Sequence, residues 1–155
     1  GAKSYCAVHE EELKNVALNI NLDMIGCIMG KFIACCTSED ALVQYIKYFS
    51  SEVGFAVGPY QDVYSSDSTP FADKGVPAVN FCRFGAPGAN YIHDRRDSLK
   101  SKYIDERALD ITLQQALFLT DRVANAAAFP IAKEISDVIR GKVDEYLFKT
   151  KKEDK

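Results

Sequence analysis

The first pattern in the chain is an alternation of apolar and polar residues between residues 16 and 23, where Ile20 and Leu22 flank Asn21 and Asp23 follows. A period of two predicts a β-strand with one apolar face, and Gly26 ends it. Shorter apolar runs at 31–36, 55–57 and 77–82 predict three further strands. The sequence therefore predicts a four-stranded sheet.

Helical spacing predicts the end of a helix at 2–9 and further helices at 38–52, 70–74, 105–128 and from Pro130 onward. The three consecutive glutamates at 10–12 predict a solvated turn. The longest of these is expected to bury seven residues: Leu109, Leu113, Ala116, Leu117, Val123, Ala124 and Ala127. The last is expected to bury one face, made of Ile131, Ile135, Val138, Ile139 and Tyr146. Residues 149–155 are expected to form a frayed, charged tail.

Alternating strands and helices predict an α/β fold in a single domain that spans residues 1–155. Two polar segments, 58–69 and 83–101, are predicted to be loops, and chemistry in such folds collects in loops beyond the strand ends. Residues 130–155 form an additional C-terminal helix and tail, for which the sequence indicates no function.

Composition excludes several classes of protein. The 155 residues include 47% hydrophobic and 26% charged residues, which is ordinary globular composition. The net charge of −3 argues against a nucleic-acid partner, which needs a basic face. The most apolar stretch, residues 16–36, contains Asn19, Asp23 and Lys31, so we expect no membrane span.

The five cysteines are an odd number without CxxC spacing, which disfavours a full set of disulfides and a zinc ribbon. Their apolar surroundings predict buried, hydrophobic thiols. Together with the lack of a signal-like segment near Gly1, this favours a cytoplasmic location.

Two residues suggest metal chemistry. Asp23 ends an otherwise apolar and amide strand, where a carboxylate must be paired, capped or bound to a metal. His93 lies in a loop beside Asp94 and Asp97, where an imidazole can bind a metal while a carboxylate fixes its tautomer. The alternatives are a hydrogen-bonded loop carboxylate and an exposed loop histidine.

The segment 65–68 forms either a polar pocket floor or the cap of the helix near Pro70, through Asp67 and Ser68. A serine hydrolase is disfavoured because the GxSxG motif is missing, and a glycine-rich phosphate loop is missing as well.

Four ordered motifs resemble the co-catalytic zinc aminopeptidases, a group of bacterial leucyl-aminopeptidase-like exopeptidases related to glutamate carboxypeptidase and the transferrin receptor. The segment 21–26, NLDMIG, resembles their LDM strand end, and 66–78 resembles their SDxxPFxxxGIPA segment. Residues 93–97, HDRRD, resemble their HTxxD, and 1–5 resemble the helix that follows their Glu-Glu pair. The resemblance covers roughly residues 1–128.

The resemblance implies a three-layer α/β/α fold with a mixed, mostly parallel sheet, of which this chain supplies about half. It also implies a hydrolase with two zinc ions, held by a His, a bridging Asp, a Glu, the LDM Asp and the HTxxD His. A second Glu acts as general base. Only Asp23 and His93 match ligand positions in this sequence, whereas the other ligands and the base have no counterparts.

By the same resemblance, Tyr64, Ser66 and Asp67 are expected to bind substrate, and Asp97 to orient the His93 imidazole. The run 10–12 does not replace the Glu-Glu pair, because it lies too close to Asp23 and on the wrong side of the first helix. We therefore expect the chain to begin a few residues after that pair, to bind at most one zinc weakly, and to be inactive alone.

The expected substrate of the complete enzyme is a peptide. The expected protein partner is a second copy of the chain or the missing N-terminal half. Two other functions remain open. A glutaminyl-cyclase-like acyl transferase has the same fold, although those enzymes usually carry a Trp where this chain has Ile92. A non-catalytic interaction module is the third interpretation.

Overall fold

The structure, a computed structural model, describes residues 1–28, 30–84, 92–98, 100 and 103–149. Most of the tail predicted at 149–155 and part of the predicted loop 83–101 lie outside the described residues. Six helices are described: α1 (Ala2–Val8), α2 (Glu10–Leu13), α3 (Asp40–Val53), α4 (Thr69–Asp73), α5 (Glu106–Ala124) and α6 (Asp137–Tyr146). None of the described helices has the length and apolar character that a bilayer crossing needs.

Four strands form one mixed sheet: β1 (Asn19–Asp23), β2 (Lys31–Thr37), β3 (Gly58–Gln61) and β4 (Ala78–Phe84). Their order is β1-β4-β2-β3. The pairs β1–β4 and β2–β3 are parallel, and the central pair β2–β4 is antiparallel. The predicted α/β fold with a mixed, mostly parallel sheet is confirmed.

One face of the sheet forms the main core. Phe32, Ala34 and Cys36 of β2 and Val79 and Phe81 of β4 lie in it, fully or almost fully buried. Helices α3 and α5 cover this face with six buried residues: Leu42, Val43, Ile46, Phe49, Ala116 and Leu119. The alternation within each strand explains this face, since every second side chain points the same way.

The opposite face of the sheet is polar. The strand register places Asn21 opposite Asn80, and Asp23 opposite Cys82. On the other side of β4, Cys35 lies opposite Asn80. Polar side chains of three neighbouring strands therefore share one face, which ends at Asp23.

Several predicted elements are wrong in detail. Residues 10–12, predicted as a turn, belong to helix α2. Val138 and Tyr146, predicted on the buried face of the last helix, are 72% and 37% exposed. The third strand is Gly58–Gln61 rather than 55–57, because α3 ends at Gly54 in the left-handed conformation and the Phe55 N–H then donates to the Ser50 carbonyl. The last helix begins at Asp137 rather than Pro130, because Ser136 accepts a hydrogen bond from the Ile139 N–H and caps it there.

The buried face of α5 also differs from the prediction. Leu113 and Leu117 are exposed, at 44% and 67%. The buried residues are Thr112, Gln115, Ala116 and Leu119. Thr112 donates to the Ile25 carbonyl and Gln115 to the Ser50 hydroxyl, so hydrogen bonds turn polar side chains of the helix inward.

Candidate functional site

Asp23 is the last residue of β1 and is followed by Met24 in the left-handed region, with φ at 51°. His93 has a φ of 61°. Residues other than glycine rarely adopt this conformation, and those that do are concentrated at functional sites. The backbone is thus unusual at or beside both residues expected to bind metal.

The structure brings Asp67 and His93 each within electrostatic range of Asp23, although the three residues are far apart in sequence. Burial and the neighbouring Asp67 raise the pKa of the Asp23 carboxyl above its ordinary value. Three interactions lower the same pKa: the electrostatic effect of His93, a hydrogen bond from Asn80 and a hydrogen bond from the Met24 N–H. Asp67 and His93 therefore both act on the Asp23 carboxyl, at the end of β1.

A chain of hydrogen bonds lies on the polar face beside Asp23. Asn80, 1% exposed, accepts a hydrogen bond of 2.9 Å from Asn21 and donates one of 3.1 Å to the Tyr64 hydroxyl. That hydroxyl lies 2.6 Å from the Cys82 sulfur. Burial raises the pKa of Tyr64 and also that of Cys82, the latter to about 11, so both groups stay neutral at physiological pH.

Ser66 and Asp67, both expected to bind substrate, lie just before α4. The Ser66 hydroxyl bonds with the Ser68 hydroxyl and accepts a hydrogen bond of 3.3 Å from the Ser68 N–H. The Ser68 side chain forms no cap bond with α4, so the expected cap by Ser68 is wrong. Asp67 is exposed and faces the Asp23 environment.

The turn that follows His93 is held by Asp94. Arg96 donates to Asp94 from its backbone N–H, its Nε and its Nη2, at 2.8, 2.8 and 3.0 Å. These bonds lower the pKa of the Asp94 carboxyl to about 2. Asp94 therefore fixes the turn, whereas the side chain of Asp97 lines a neighbouring cavity. The orientation of His93 by Asp97 stays a prediction.

A cavity of about 130 Å³ lies directly beside these groups. Met24, which follows Asp23, and Ile92, which precedes His93, both line it. The other lining residues are Ile25, Gly26, Cys27, Asp97, Tyr103 and Ile104. The cavity is mainly apolar, and it opens at the end of the sheet that carries Asp23.

The described residues do not make a complete metal site on their own. A carboxylate and an imidazole, such as those of Asp23 and His93, suit zinc chemically. Zinc takes three protein ligands even in open catalytic sites, and no group of three His, Cys, Asp or Glu side chains suited to a metal occurs in the described part of the chain. We therefore derive no reaction step from a metal held by these residues alone.

Sequence reasoning missed Asn80 and Cys82, although the signal was present. Both alternate with the buried residues Val79 and Phe81 in β4, as Asn21 and Asp23 alternate with apolar residues in β1. Pairing the polar halves of the two strands would have placed Asn80 beside Asn21 and Cys82 beside Asp23, as observed.

Similar folds occur in solved peptidase structures. A zinc aminopeptidase from Bacillus subtilis is 23% identical, with a TM-score of 0.62 over 88% of this chain and 36% of that protein. An aminopeptidase from Aneurinibacillus sp. strain AM-1 is 25% identical, with a TM-score of 0.60 over 77% of this chain and 29% of that protein. A glutaminyl cyclase from an Acidobacteriales bacterium is 21% identical, with a TM-score of 0.61 over 79% and 45% of the two chains.

This chain thus spans less than half of the length of these proteins. No curated protein sequence matches it significantly. The sequence pattern that defines peptidase family M28 matches residues 1–120. That match confirms the resemblance stated above and extends over most of the chain, and the protein therefore belongs to peptidase family M28.

Proposed function

We propose that this chain forms one side of an aminopeptidase site that releases the first residue of a peptide. In the complete enzyme, zinc would activate water and polarise the scissile carbonyl. The observation that carries the proposal is the apolar cavity between Met24 and Ile92, the direct neighbours of Asp23 and His93. An exopeptidase needs such a small pocket beside its reactive groups, because it binds a single terminal side chain.

The volume of the cavity limits the side chains that it accepts. At about 130 Å³ it approaches the ~150 Å³ of an apolar protein cavity that binds benzene. We therefore propose aliphatic or phenyl side chains at the first position of the substrate. A difference of one methylene in an apolar pocket changes kcat/KM by about 10- to 200-fold, so the preference is measurable.

Asp67 gives a reason for specificity toward a free N-terminus. Its carboxylate is exposed and interacts electrostatically with Asp23, so the region has a negative potential. The α-ammonium group of a peptide would neutralise part of that charge, whereas an acetylated N-terminus would not. We propose that Asp67 receives this ammonium group.

The test uses the protein encoded by the longest reading frame that contains these 155 residues. Leucyl-4-nitroanilide should be cleaved at least tenfold faster, in kcat/KM, than tryptophanyl-4-nitroanilide, and N-acetyl-leucyl-4-nitroanilide should resist cleavage. Asp23→Ala and His93→Ala should each abolish turnover, whereas Asp40→Ala on the exposed surface of α3 should not. Cleavage of the acetylated substrate at a similar rate would refute the aminopeptidase proposal.

We propose that the 155-residue chain alone is inactive, since Asp23 and His93 would each supply one ligand to a different zinc ion, and no residue of the chain matches the general-base Glu. The same nitroanilide assay, with the isolated chain and added zinc, tests this. Robust turnover that disappears in both Asp23→Ala and His93→Ala would contradict it and would mean that the chain contains further ligands.

A glutaminyl-cyclase-like activity is the second candidate, and the similarity to the Acidobacteriales enzyme favours it. Such a reaction joins the α-amine to the side-chain carbonyl of an N-terminal Gln and releases ammonia. Ile92, in place of the Trp usual in the cyclases, weighs against it. Ammonia release from a glutaminyl peptide, without nitroanilide cleavage, would decide for the cyclase, and neither activity would favour a non-catalytic module.

A further inference from the structure

The C-terminal segment, residues 131–149, lies beyond the part of the chain that matches the family pattern, yet it packs closely against the candidate site. Ile135, Ile139 and Val143 are buried in one apolar cluster with Ala72 of α4. Half-buried Val63, which precedes Tyr64, packs against the same cluster. The segment therefore covers the elements that flank Tyr64, Ser66 and Asp67.

Two ion pairs join this segment to both ends of the same region. Lys142 Nζ lies 2.8 Å from Asp62 Oδ1, at the start of the loop 62–68. Lys149 pairs with Asp73, the last residue of α4. The Asp62 side chain also accepts a 2.9 Å hydrogen bond from the Val63 N–H, so the Lys142 contact is continuous with the loop backbone.

A third contact fixes the other end of the segment. Lys133 Nζ donates to the Leu13 and Lys14 carbonyl oxygens at 2.7 and 2.6 Å, at the end of α2. Ile131 is 4% exposed and belongs to the main core. The segment is thus held by α2 and the main core as well as by the loop. It can therefore restrain the loop.

The segment also reaches the site directly. Tyr146 of α6 lines a cavity of about 310 Å³ together with Ser66, Asp67 and Pro70. This volume is at the lower end of the range for small-molecule sites. One wall of the space beside Ser66 and Asp67 is therefore supplied by residues that the family pattern does not include.

We propose that residues 131–149 are a positioning element for the candidate site, and that they hold the loop 62–68 and α4 in place through Ile139 and Val143. The inference rests on the proposed function only in taking Ser66 and Asp67 as part of the site. Apolar packing contributes more than the ion pair to holding the loop, because the Lys142–Asp62 pair is about half exposed and such pairs add little stability. Ile139, which is 1% exposed, is the central contact.

Backbone hydrogen exchange of the 155-residue chain tests this inference without any need for activity. In Ile139→Ala, amides of residues 62–73 should exchange at least tenfold faster, while those of α3 and β2 keep their rates. Val138→Ala is the matched control, since Val138 is adjacent on α6 but 72% exposed, and it should change neither region. Ile139→Val should restore most of the protection at 62–73.

Two outcomes would overturn the inference. A uniform acceleration in Ile139→Ala across the loop, α3 and β2 would mean that α6 contributes only to global stability. Unchanged exchange at 62–73 would mean that the loop is held without α6. Absence of peptidase activity in the complete protein would refute the proposed function but would leave the exchange result, and so this inference, intact.

A second variant pair separates the ion pair from the apolar packing. Lys142→Asp should increase exchange at 62–68 by no more than about fivefold, because an exposed pair contributes at most about 1 kcal/mol. Combining it with Asp62→Lys should return exchange toward the original rate. A Lys142→Asp effect as large as that of Ile139→Ala would contradict the dominance of apolar packing.

Discussion

Individual buried polar residues decide the character of this molecule more than its apolar ones. Asn80 satisfies three partners at once: Asn21, Tyr64 and the Asp23 carboxylate. A buried amide with several partners fixes the relative positions of all of them, because any displacement leaves a polar group unpaired in a region of low dielectric. Asn80 thus links the position of Asp23 to the positions of Asn21 and Tyr64.

Cys35 leads to a prediction about alkaline stability. Burial, followed by the neighbouring Cys82, raises the pKa of the Cys35 thiol from 9.0 to about 12. The unfolded chain ionises this thiol above pH 9, whereas the folded chain keeps it protonated. The contribution of this thiol to the free energy of unfolding is therefore fully present below pH 9. It is lost as the pH rises toward 12, by at most about 1.4 kcal/mol per pH unit.

Cys35→Ser removes the titrating group but keeps a donor for the Asp62 carbonyl, which Cys35 contacts at 3.3 Å. Urea unfolding between pH 8 and pH 12 should give a shallower loss of unfolding free energy for Cys35→Ser than for the original chain. Equal slopes for the two proteins would contradict the assignment.

At the scale of elements, hydrogen bonds rather than the apolar pattern orient α5. Its N-terminus is capped by Asp105, whose side chain accepts from the Arg107 and Ala108 N–H groups at 2.7 and 3.3 Å. Its buried face then repeats at positions 112, 115, 116 and 119, which is regular helical spacing. The helix is amphipathic in the usual sense, but two of its inward residues are polar.

Gln115 and Gln114 form a matched pair for testing this orientation. Gln115 is fully buried and donates to the Ser50 hydroxyl at 2.8 Å, whereas Gln114 is exposed. Gln115→Ala should lower the free energy of unfolding by about 1–3 kcal/mol, because it removes a buried hydrogen bond and leaves a gap. Gln114→Ala should change it by less than about 0.5 kcal/mol. Similar effects of both substitutions in urea unfolding would disprove the buried position of Gln115.

The capping of α5 gives a second prediction at this scale. Asp105→Ala should cost about 1 kcal/mol of stability, the usual value for a lost N-cap. Asp105→Asn should retain most of it, since an amide oxygen still accepts these bonds. Thermal unfolding of the two variants beside the original chain measures the difference, and an equal loss in both would mean that charge rather than capping is responsible.

The sequence was informative where local pattern and tertiary structure agree. The alternation at 16–23 and the apolar runs at 31–36 and 77–82 predicted β1, β2 and β4, since strand periodicity follows directly from burial of one face. It failed at Leu117, because an apolar stripe does not reveal which face finds a neighbour. It also failed at residues 130–136, where Ile131 and Ile135 are buried without helix.

For the candidate site, motif resemblance predicts Asp23 and His93 as metal ligands, which stays a prediction, and it did not reveal Asn80. The reason is physical: the role of Asn80 depends on the pairing of β1 with β4, which are distant in sequence.

At the scale of the whole molecule, two exposed flanks of α5 carry apolar side chains among the described residues. Ile111, Leu113, Leu117 and Phe118 of α5 are all at least 42% exposed. In addition, β1 lies at an edge of the sheet, where its outer backbone groups are available for pairing. Exposed apolar patches combined with a free strand edge are typical of interaction surfaces.

We expect the isolated chain to associate through these exposed side chains and the edge strand β1, either with a second copy or with the remaining part of a peptidase domain. Its mean mass in multi-angle light scattering should rise with concentration. Leu117→Glu should shift it toward the monomer, whereas Val138→Glu, at an exposed position of α6, should not. A monomeric mass at all concentrations would contradict self-association.

The position of β1 at the sheet edge has a consequence for synthesis on the ribosome. Its ladder partner is β4, and the paired residues Asn21 and Asn80 are 59 positions apart in the chain. At about 5–20 residues per second, β1 would wait roughly 3 to 12 s after emerging before that partner is made. Over this interval an alternating, half-apolar strand is exposed, and chaperones that recognise extended apolar segments would find a target there.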